Sequence, residues 1–494
     1  MIVPARDAFL ERAAESPLAP VYRDVLADVE TPLSVYWKLA HDETHSFLLE
    51  SVTGGEHLAR YSILGVRPKT VLRTKNRTVE RRSMGSTVTS ELEPGQDPLD
   101  SLRAELGPFI EALGPDMPHF VGGAVGMFAY DLVRFFEKLP DKNLDDLQVD
   151  DMAVMITEAV VVFDHATNKI RIIVLAPTTS QGYEAAKREI NRIVARISQP
   201  LPALPNGSWS PGPVKSNLTQ DHFERIVRRM IEYIEAGDGI QMVPSQRFST
   251  PLDAHPVTVY RALRSINPSP YMFLLRFGDF DLVGASPELL VSLHGQVARV
   301  RPIAGTRWRG ATPQEDAELE RELLADEKER AEHIMLVDLG RNDLGRVCDY
   351  GTVQVNELMV IERYSHVMHI VSDVTGILSP AHDAYDLLRS SFPAGTVSGA
   401  PKIRAMEIIE ELEESRRGAY AGGVGFLSAT GDLDTCITLR SIFIKDGTAY
   451  VQAGGGVVYD SKPALEFHES CNKAKAPLKA IEIAQRGLES APER

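Results

Sequence analysis

Alternating apolar and polar positions make the first part of the chain read as strand-rich, and mixed alternating and 3.6-spaced runs follow it. SFLLESV (46–52) and RYSILG (60–65), parted by Gly54-Gly55, read as strand, turn, strand. EAVVVFDHATNKIRIIVLA (158–176) reads as a hairpin across a polar turn. Further on, QDHFERIVRRMIEYIEAG (220–237) spaces its apolar residues as a helix does and stops at Gly237. DLVGASPELLVSLHGQVARVRPIAG (281–305) alternates like strands joined by a turn. ELERELLADEKERAEHIMLVDL (318–339) is one long helical pattern, and AYVQAGGGVVYD (449–460) is a strand broken by three glycines.

The stretch SQPLPALPNGSWSPGPVKSN (198–217) is rich in Pro and reads as a linker over 201–217, between a sheet-rich region, 1–200, and a mixed region, 218–494. Strands and helices come in separate groups rather than a regular βαβ rhythm. That grouping predicts an α+β fold, layered antiparallel sheets flanked by helices.

Composition narrows the function classes. At 494 residues with 43% hydrophobic and 25% charged residues, the chain can bury a large core. A net charge of −16 argues against a nucleic-acid surface and against anionic membranes. MIVPARDAFLERAAE lacks the apolar core of a signal peptide, and no apolar run reaches the length of a membrane span. Cys348, Cys436 and Cys471 form no CxxC pair, so a reducing cytoplasm is expected. The P-loop, the strand-borne GxGxxG, HExxH and GxSxG are all absent.

Two acidic pairs stand out. Glu466 and Glu469 in EFHE, and Glu329 and Glu332 in DEKERAEH, are each three residues apart in helical patterns, where like charges share a face and repel. Each pair could be a solvated face balanced by Lys328, Arg330, Lys473 and Lys475. If the two helices face each other, a hard divalent cation such as Mg2+ would resolve the repulsion and share its shell with an anionic substrate. Three further features point to an anion. Gly454, Gly455 and Gly456 in QAGGGV form either a bulge or a backbone nest. Arg440 in TLRSIF is either an edge-strand Arg or a partner for a ligand carboxylate. His369 in SHVMHIVSDV is either a satisfied core group or a base.

In order along most of the chain, RPIAGTRWRG (301–310), DEKERAEHIMLVDLGRNDLGRV (326–347), RYSHVMHIVS (363–372), FPAGTVSGAPK (392–402), YAGGVGF (420–426), CITLRS (436–441) and VQAGGGVV (451–458) resemble the chorismate-utilising enzymes. Within that family they are most similar to the large subunits of anthranilate synthase. The resemblance implies that family's fold, with regulation in 1–200 and chorismate chemistry in 218–494. It implies a Mg2+ site at Glu332 and Glu469, completed by Glu329 and Glu466. Tyr420, Arg440, Gly454 and Gly456 match positions that hold the enolpyruvyl carboxylate. Gly305, Thr306 and Thr396 match contacts in the reaction cavity. His369 matches the general base, and Glu288 the carboxylate that assists departure of the ring hydroxyl.

The implied reaction adds ammonia to C2 of chorismate and then eliminates pyruvate, giving anthranilate for tryptophan biosynthesis. Relatives forming aminodeoxychorismate often carry Lys at the position of Ala304. Relatives that add water carry Lys at the position of Gln241, and Gln cannot act as a base. The competing readings are an aminodeoxychorismate synthase component and a non-catalytic, ligand-sensing subunit. The chain carries no glutaminase, so a separate glutaminase subunit is expected, in an α2β2 assembly. Glu50, Ser51, Arg60, Asn267, Pro270, Tyr271 and Met272 match a feedback site for tryptophan as inhibitor.

Overall fold

The computed structural model describes residues 1–494 except 15, 53–59, 84, 111–116, 365–366 and 489–494. The Gly54-Gly55 turn lies outside the described residues. Two large antiparallel sheets face each other. The 11-stranded sheet runs, in spatial order, Leu18–Leu26, Lys169–Pro177, Ala159–Asp164, Tyr61–Val66, Ser46–Glu50, Tyr271–Arg276, Phe280–Ser286, Ser441–Lys445, Thr448–Gly454, Ser245–Pro251 and Lys215–Ser216. The 12-stranded sheet begins Ile303–Trp308, Val367–Ile377, Val297–Val300, Leu289–His294 and Leu433–Ile437. It continues through Gly423–Ser428, Gly123–Phe128, Met152–Thr157, Thr70–Lys75, Thr78–Ser83 and Ser86–Glu91. Gln354–Arg363 pairs on Val367–Ile377. Strands from before and after 201–217 are interleaved in both sheets.

Period-two alternation sorts the strand side chains into layers. Phe47, Ile63, Phe273 and Leu275 of one sheet meet Val125, Met127, Met155 and Phe426 of the other, a core sealed between the sheets. Their neighbours Leu48, Leu64 and Leu274 point the other way, onto Tyr36, Ile190, Tyr260 and Ile481 from the covering helices. On the far face of the second sheet, Leu72, Val154 and Leu290 pack on Leu99, Val337 and Leu388 of further helices. The architecture is therefore helices, sheet, sheet, helices, the α+β layering that the sequence predicts. Among the described residues no helix is long and apolar enough to cross a membrane, and all three cysteines are unpaired.

Two element readings change. The pattern over 318–339 is two helices, Pro313–Ala325 and Glu327–Gly345, broken at Asp326. The Asp326 carboxylate accepts the amides of Lys328 and Glu329, so it caps the second helix and sets the direction of its acidic first turn. The three glycines do not interrupt a strand. Thr448–Gly454 ends at the first of them, and Gly455 and Gly456 form the approach to the last helix, Pro463–Arg486.

Candidate active site

His369 lies in Val367–Ile377, flanked in register by Thr306 on one side and Glu362 on the other. Its Nδ1 is 2.9 Å from the Gly305 carbonyl oxygen and 3.1 Å from Thr306 Oγ1. A carbonyl only accepts, so Nδ1 carries the proton and Nε2 keeps its lone pair. Burial pushes the imidazole pKa down, with Arg440 and Lys473 adding to that push, while the Gly305 hydrogen bond and Glu362 oppose it. Gly305 has φ +67, and a Cβ there would press on Leu323 and stand 3.2 Å from Glu329 Oε2. Glycine thus lets the strand bend past the acidic helix while presenting its carbonyl to His369.

Glu288 follows Phe280–Ser286 and is only 7% exposed. Burial pushes its carboxyl up to about 8, partly offset by the nearby Thr396 hydroxyl and the Lys473 ammonium. Thr396 Oγ1 is buried and makes no hydrogen bond of normal geometry among the described residues. A neutral acid and a neutral base, tuned in opposite directions, therefore share one neighbourhood with Lys473.

The two acidic pairs meet across the glycine bend. Gln241 Nε2 donates to Glu332 Oε1 at 2.8 Å, and a Cβ on Gly456 would collide with that same Gln241 nitrogen. A Cβ on Gly455 would come within 3.2 Å of Glu469 Oε1 and 3.4 Å of Glu466 Oε2. Lys328 lies within range of both Glu332 and Glu466. Burial raises the pKa of Glu329 and Glu466, and Glu332 and Glu469 respectively add repulsion. Glu466 Oε2 is buried and makes no hydrogen bond of normal geometry among the described residues, although the Ser461 hydroxyl is near enough to Glu466 to lower its pKa, and Lys473 Nζ holds Glu469 Oε1 at 2.7 Å. Among the described residues no three such groups are gathered closely enough to enclose an ion. The chemistry of the donor set, hard carboxylate oxygens including a buried Glu466 oxygen without a normal hydrogen bond among the described residues, suits Mg2+.

Arg440 is held at φ +49, a left-handed conformation that a non-glycine residue adopts where surrounding structure imposes it. Among the described residues its guanidinium makes no ion pair or side-chain hydrogen bond, and burial pushes its pKa down, with Tyr420 and Glu469 opposing. Burial raises the Tyr420 phenol to about 12. Gly454 is packed against the backbone carbonyl of Pro244. A buried cation with no ion pair among the described residues, and only the more distant Glu469 charge to balance it, suits a ligand carboxylate.

The proposed effector residues meet elsewhere. Glu50, Ser51, Arg60, Pro270, Tyr271 and Met272 line a cavity of about 1050 Å3 between the two sheets. Asn267 is not among its lining residues; it caps the helix Pro256–Ile266. Glu50 is not a free carboxylate: Tyr260 donates to it and Arg264 Nε lies 3.2 Å away.

In the sequence Lys473 reads only as a balance for EFHE, whereas in the structure its charge reaches Glu288, His369 and Glu466. Its position four residues after Glu469, on the same helical face, was the available signal. Tyr364, whose ring lies 5.6 Å from that of His369, left no signal in the sequence pattern.

Residues 44–479 match the family model described as chorismate binding enzyme. The chain is 47% identical to anthranilate synthase component 1 of Pseudomonas aeruginosa over 98% of this chain and 100% of that one. It is 46% identical to the Acetivibrio thermocellus protein of the same name over 98% and 99% of the two chains. Its fold matches the crystal structure of anthranilate synthase component I from Streptococcus pneumoniae with a TM-score of 0.77, at 38% identity over 92% of this chain and 99% of that one. The menaquinone-specific isochorismate synthase from Escherichia coli shares the fold, with a TM-score of 0.70 at 18% identity over 97% and 99%.

Proposed function

The chain belongs to the chorismate binding enzyme family, and from that membership we propose that it is the ammonia-using component of an anthranilate synthase. It adds ammonia to C2 of chorismate as the C4 hydroxyl leaves, then eliminates pyruvate to leave anthranilate, the committed step toward tryptophan. The observation that carries this reading is the opposed tuning of Glu288 and His369 around Lys473.

Glu288, protonated near pH 7, gives its proton to the departing C4 hydroxyl, which leaves as water while ammonia bonds to C2. His369 Nε2 then takes the C2 proton; the electron pair completes the aromatic ring as the C3–O bond breaks, and the enolate that departs takes up a proton to become pyruvate. Gly305 fixes the imidazole tautomer, and Thr306 steadies its orientation. Arg440, Tyr420 and the Gly454–Gly456 bend receive the enolpyruvyl carboxylate. Gln241 spends its NH2 on Glu332 and offers no base for activating water, which favours ammonia as the nucleophile.

Glu329, Glu332, Glu466 and Glu469 would hold Mg2+, which when bound supplies positive charge to grip the ring carboxylate and stabilise the conjugated system. A separate glutaminase subunit in an α2β2 assembly supplies the ammonia, and the enzyme works in the cytoplasm. Tryptophan occupies the 1050 Å3 cavity as feedback inhibitor.

The test is chorismate plus ammonium salt with the purified chain, with and without Mg2+ and tryptophan, read by anthranilate fluorescence. Fluorescent product without any lyase partner is the expected result. A non-fluorescent aminated product would assign the chain to aminodeoxychorismate synthesis, and binding without turnover would make it a sensor.

A further inference from the structure

Three side chains outside the mechanism just described join the cavity wall to the catalytic histidine. Arg301 lines the 1050 Å3 cavity and also the small space beside Glu288 and Thr396. Its guanidinium donates to Glu362 Oε1. The other oxygen of Glu362 accepts the Tyr364 hydroxyl at 2.9 Å. The Tyr364 ring then meets the His369 ring edge-on, with centroids 5.6 Å apart and planes at 62°. Glu362 also sits directly across the strand pair from His369, and its negative charge acts on the imidazole. On the cavity side, the Tyr271 phenol lies close enough to sense both Arg301 and Tyr364.

The chemistry of Arg301 allows a second arrangement besides the one seen. Arg301 presents a planar, bidentate donor whose present acceptor is Glu362. A ligand carboxylate entering the cavity would compete for the same guanidinium. If Arg301 turns to that carboxylate, Glu362 loses its counter-charge, its hold on the Tyr364 hydroxyl strengthens, and the ring packed against His369 shifts with it. Such a ligand would bind the two arrangements with different affinity, which is what coupling between sites requires.

We propose that Arg301, Glu362 and Tyr364 are positioning residues for His369, and that a carboxylate-bearing effector in the cavity inhibits by drawing Arg301 away from Glu362. The proposal rests on the reading of the cavity as an amino-acid effector site and adds how its occupancy reaches the chemistry.

The test uses the full chain with ammonium as nitrogen donor and L-tryptophan as the probe. Tyr364→Phe removes one oxygen and keeps the ring; Glu362→Gln keeps the shape and removes the charge. Tryptophan binding is measured directly by calorimetry, separately from inhibition. Glu362→Gln, which frees Arg301 from its present acceptor, is expected to bind tryptophan about tenfold more tightly, and Tyr364→Phe to bind it as the wild type does; in both, saturating tryptophan leaves a larger fraction of the activity than it does in the wild type. Their kcat falls while KM for chorismate holds. Equal inhibition of wild type and both variants would overturn the proposal, as would inhibition lost only in proportion to binding. A wild-type chain that makes anthranilate but binds no tryptophan would instead sink the effector reading, and the coupling with it.

Discussion

The ring nitrogen Nδ1 of His369 lies 2.9 Å from the carbonyl oxygen of Gly305. That contact keeps the proton on Nδ1 and leaves the lone pair on Nε2, the atom that serves as base in the proposed reaction. His369→Ala is expected to retain chorismate binding and lose aromatisation, by a factor of roughly 10²–10⁴, the usual worth of a general base. Chromatography should show an aminated intermediate in place of anthranilate. Normal anthranilate formation by this variant would remove His369 from the mechanism.

Glu288 gives a pH dependence of defined sign. Its carboxyl is raised by burial from 4.5 to about 8, so the folded protein holds a proton there that the unfolded chain has lost. Stability therefore falls as pH rises from about 4.5 to about 8, and the loss is complete above that window. The proposed reaction uses the protonated form of Glu288, so kcat with ammonium should decline above about pH 8, once the changing ammonia fraction is corrected for. Glu288→Gln should lose most activity at every pH while its Tm varies less across the window than that of the wild type. A variant with a wild-type pH-rate profile would exclude Glu288 as the acid.

Metal dependence can be read without turnover. Adding Mg2+ to chelator-treated protein should raise Tm, because an ion that binds only the folded state stabilises it by mass action. Glu466→Gln and Glu332→Gln should each shrink that rise and weaken ammonium-dependent activity. An unchanged Mg2+-induced shift in both variants would place the ion elsewhere.

Gly454→Ala tests the bend. The added methyl would collide with the Pro244 carbonyl, a backbone atom that cannot swing aside. The expected destabilisation is about 1–3 kcal/mol, the usual cost of overpacking, seen as a lower denaturation midpoint in urea. A variant as stable as the wild type would show that the neighbouring strand yields easily.

Local patterns in the sequence carried the strands, the amphipathic helices and the chemical types of the site. The hairpin over 158–176 and the helix over 220–237 follow from spacing alone because each is completed by near neighbours. Glu329 with Glu332, and Glu466 with Glu469, were legible as pairs because helical spacing puts them on one face. Their meeting through Gln241 and the glycine bend was not, since it depends on how the sheets bring distant segments together. The break at Asp326 escaped the periodicity because a capping carboxylate looks like any acidic residue in an acidic run. Glu50 offered a free charge in the sequence, but a helix more than two hundred residues away neutralises it through Arg264.

The interleaving of strands has a consequence during synthesis. Ser46–Glu50 is flanked by Tyr61–Val66, made soon after it, and by Tyr271–Arg276, made much later. Gly123–Phe128 likewise waits for Gly423–Ser428. A ribosome that has released the first two hundred residues has delivered two half-sheets with bare edges, which invite pairing with other chains. Nascent-chain quality control thus bears on this protein until its final third emerges, and cutting the Pro-rich segment before folding should yield two aggregating fragments rather than two working halves.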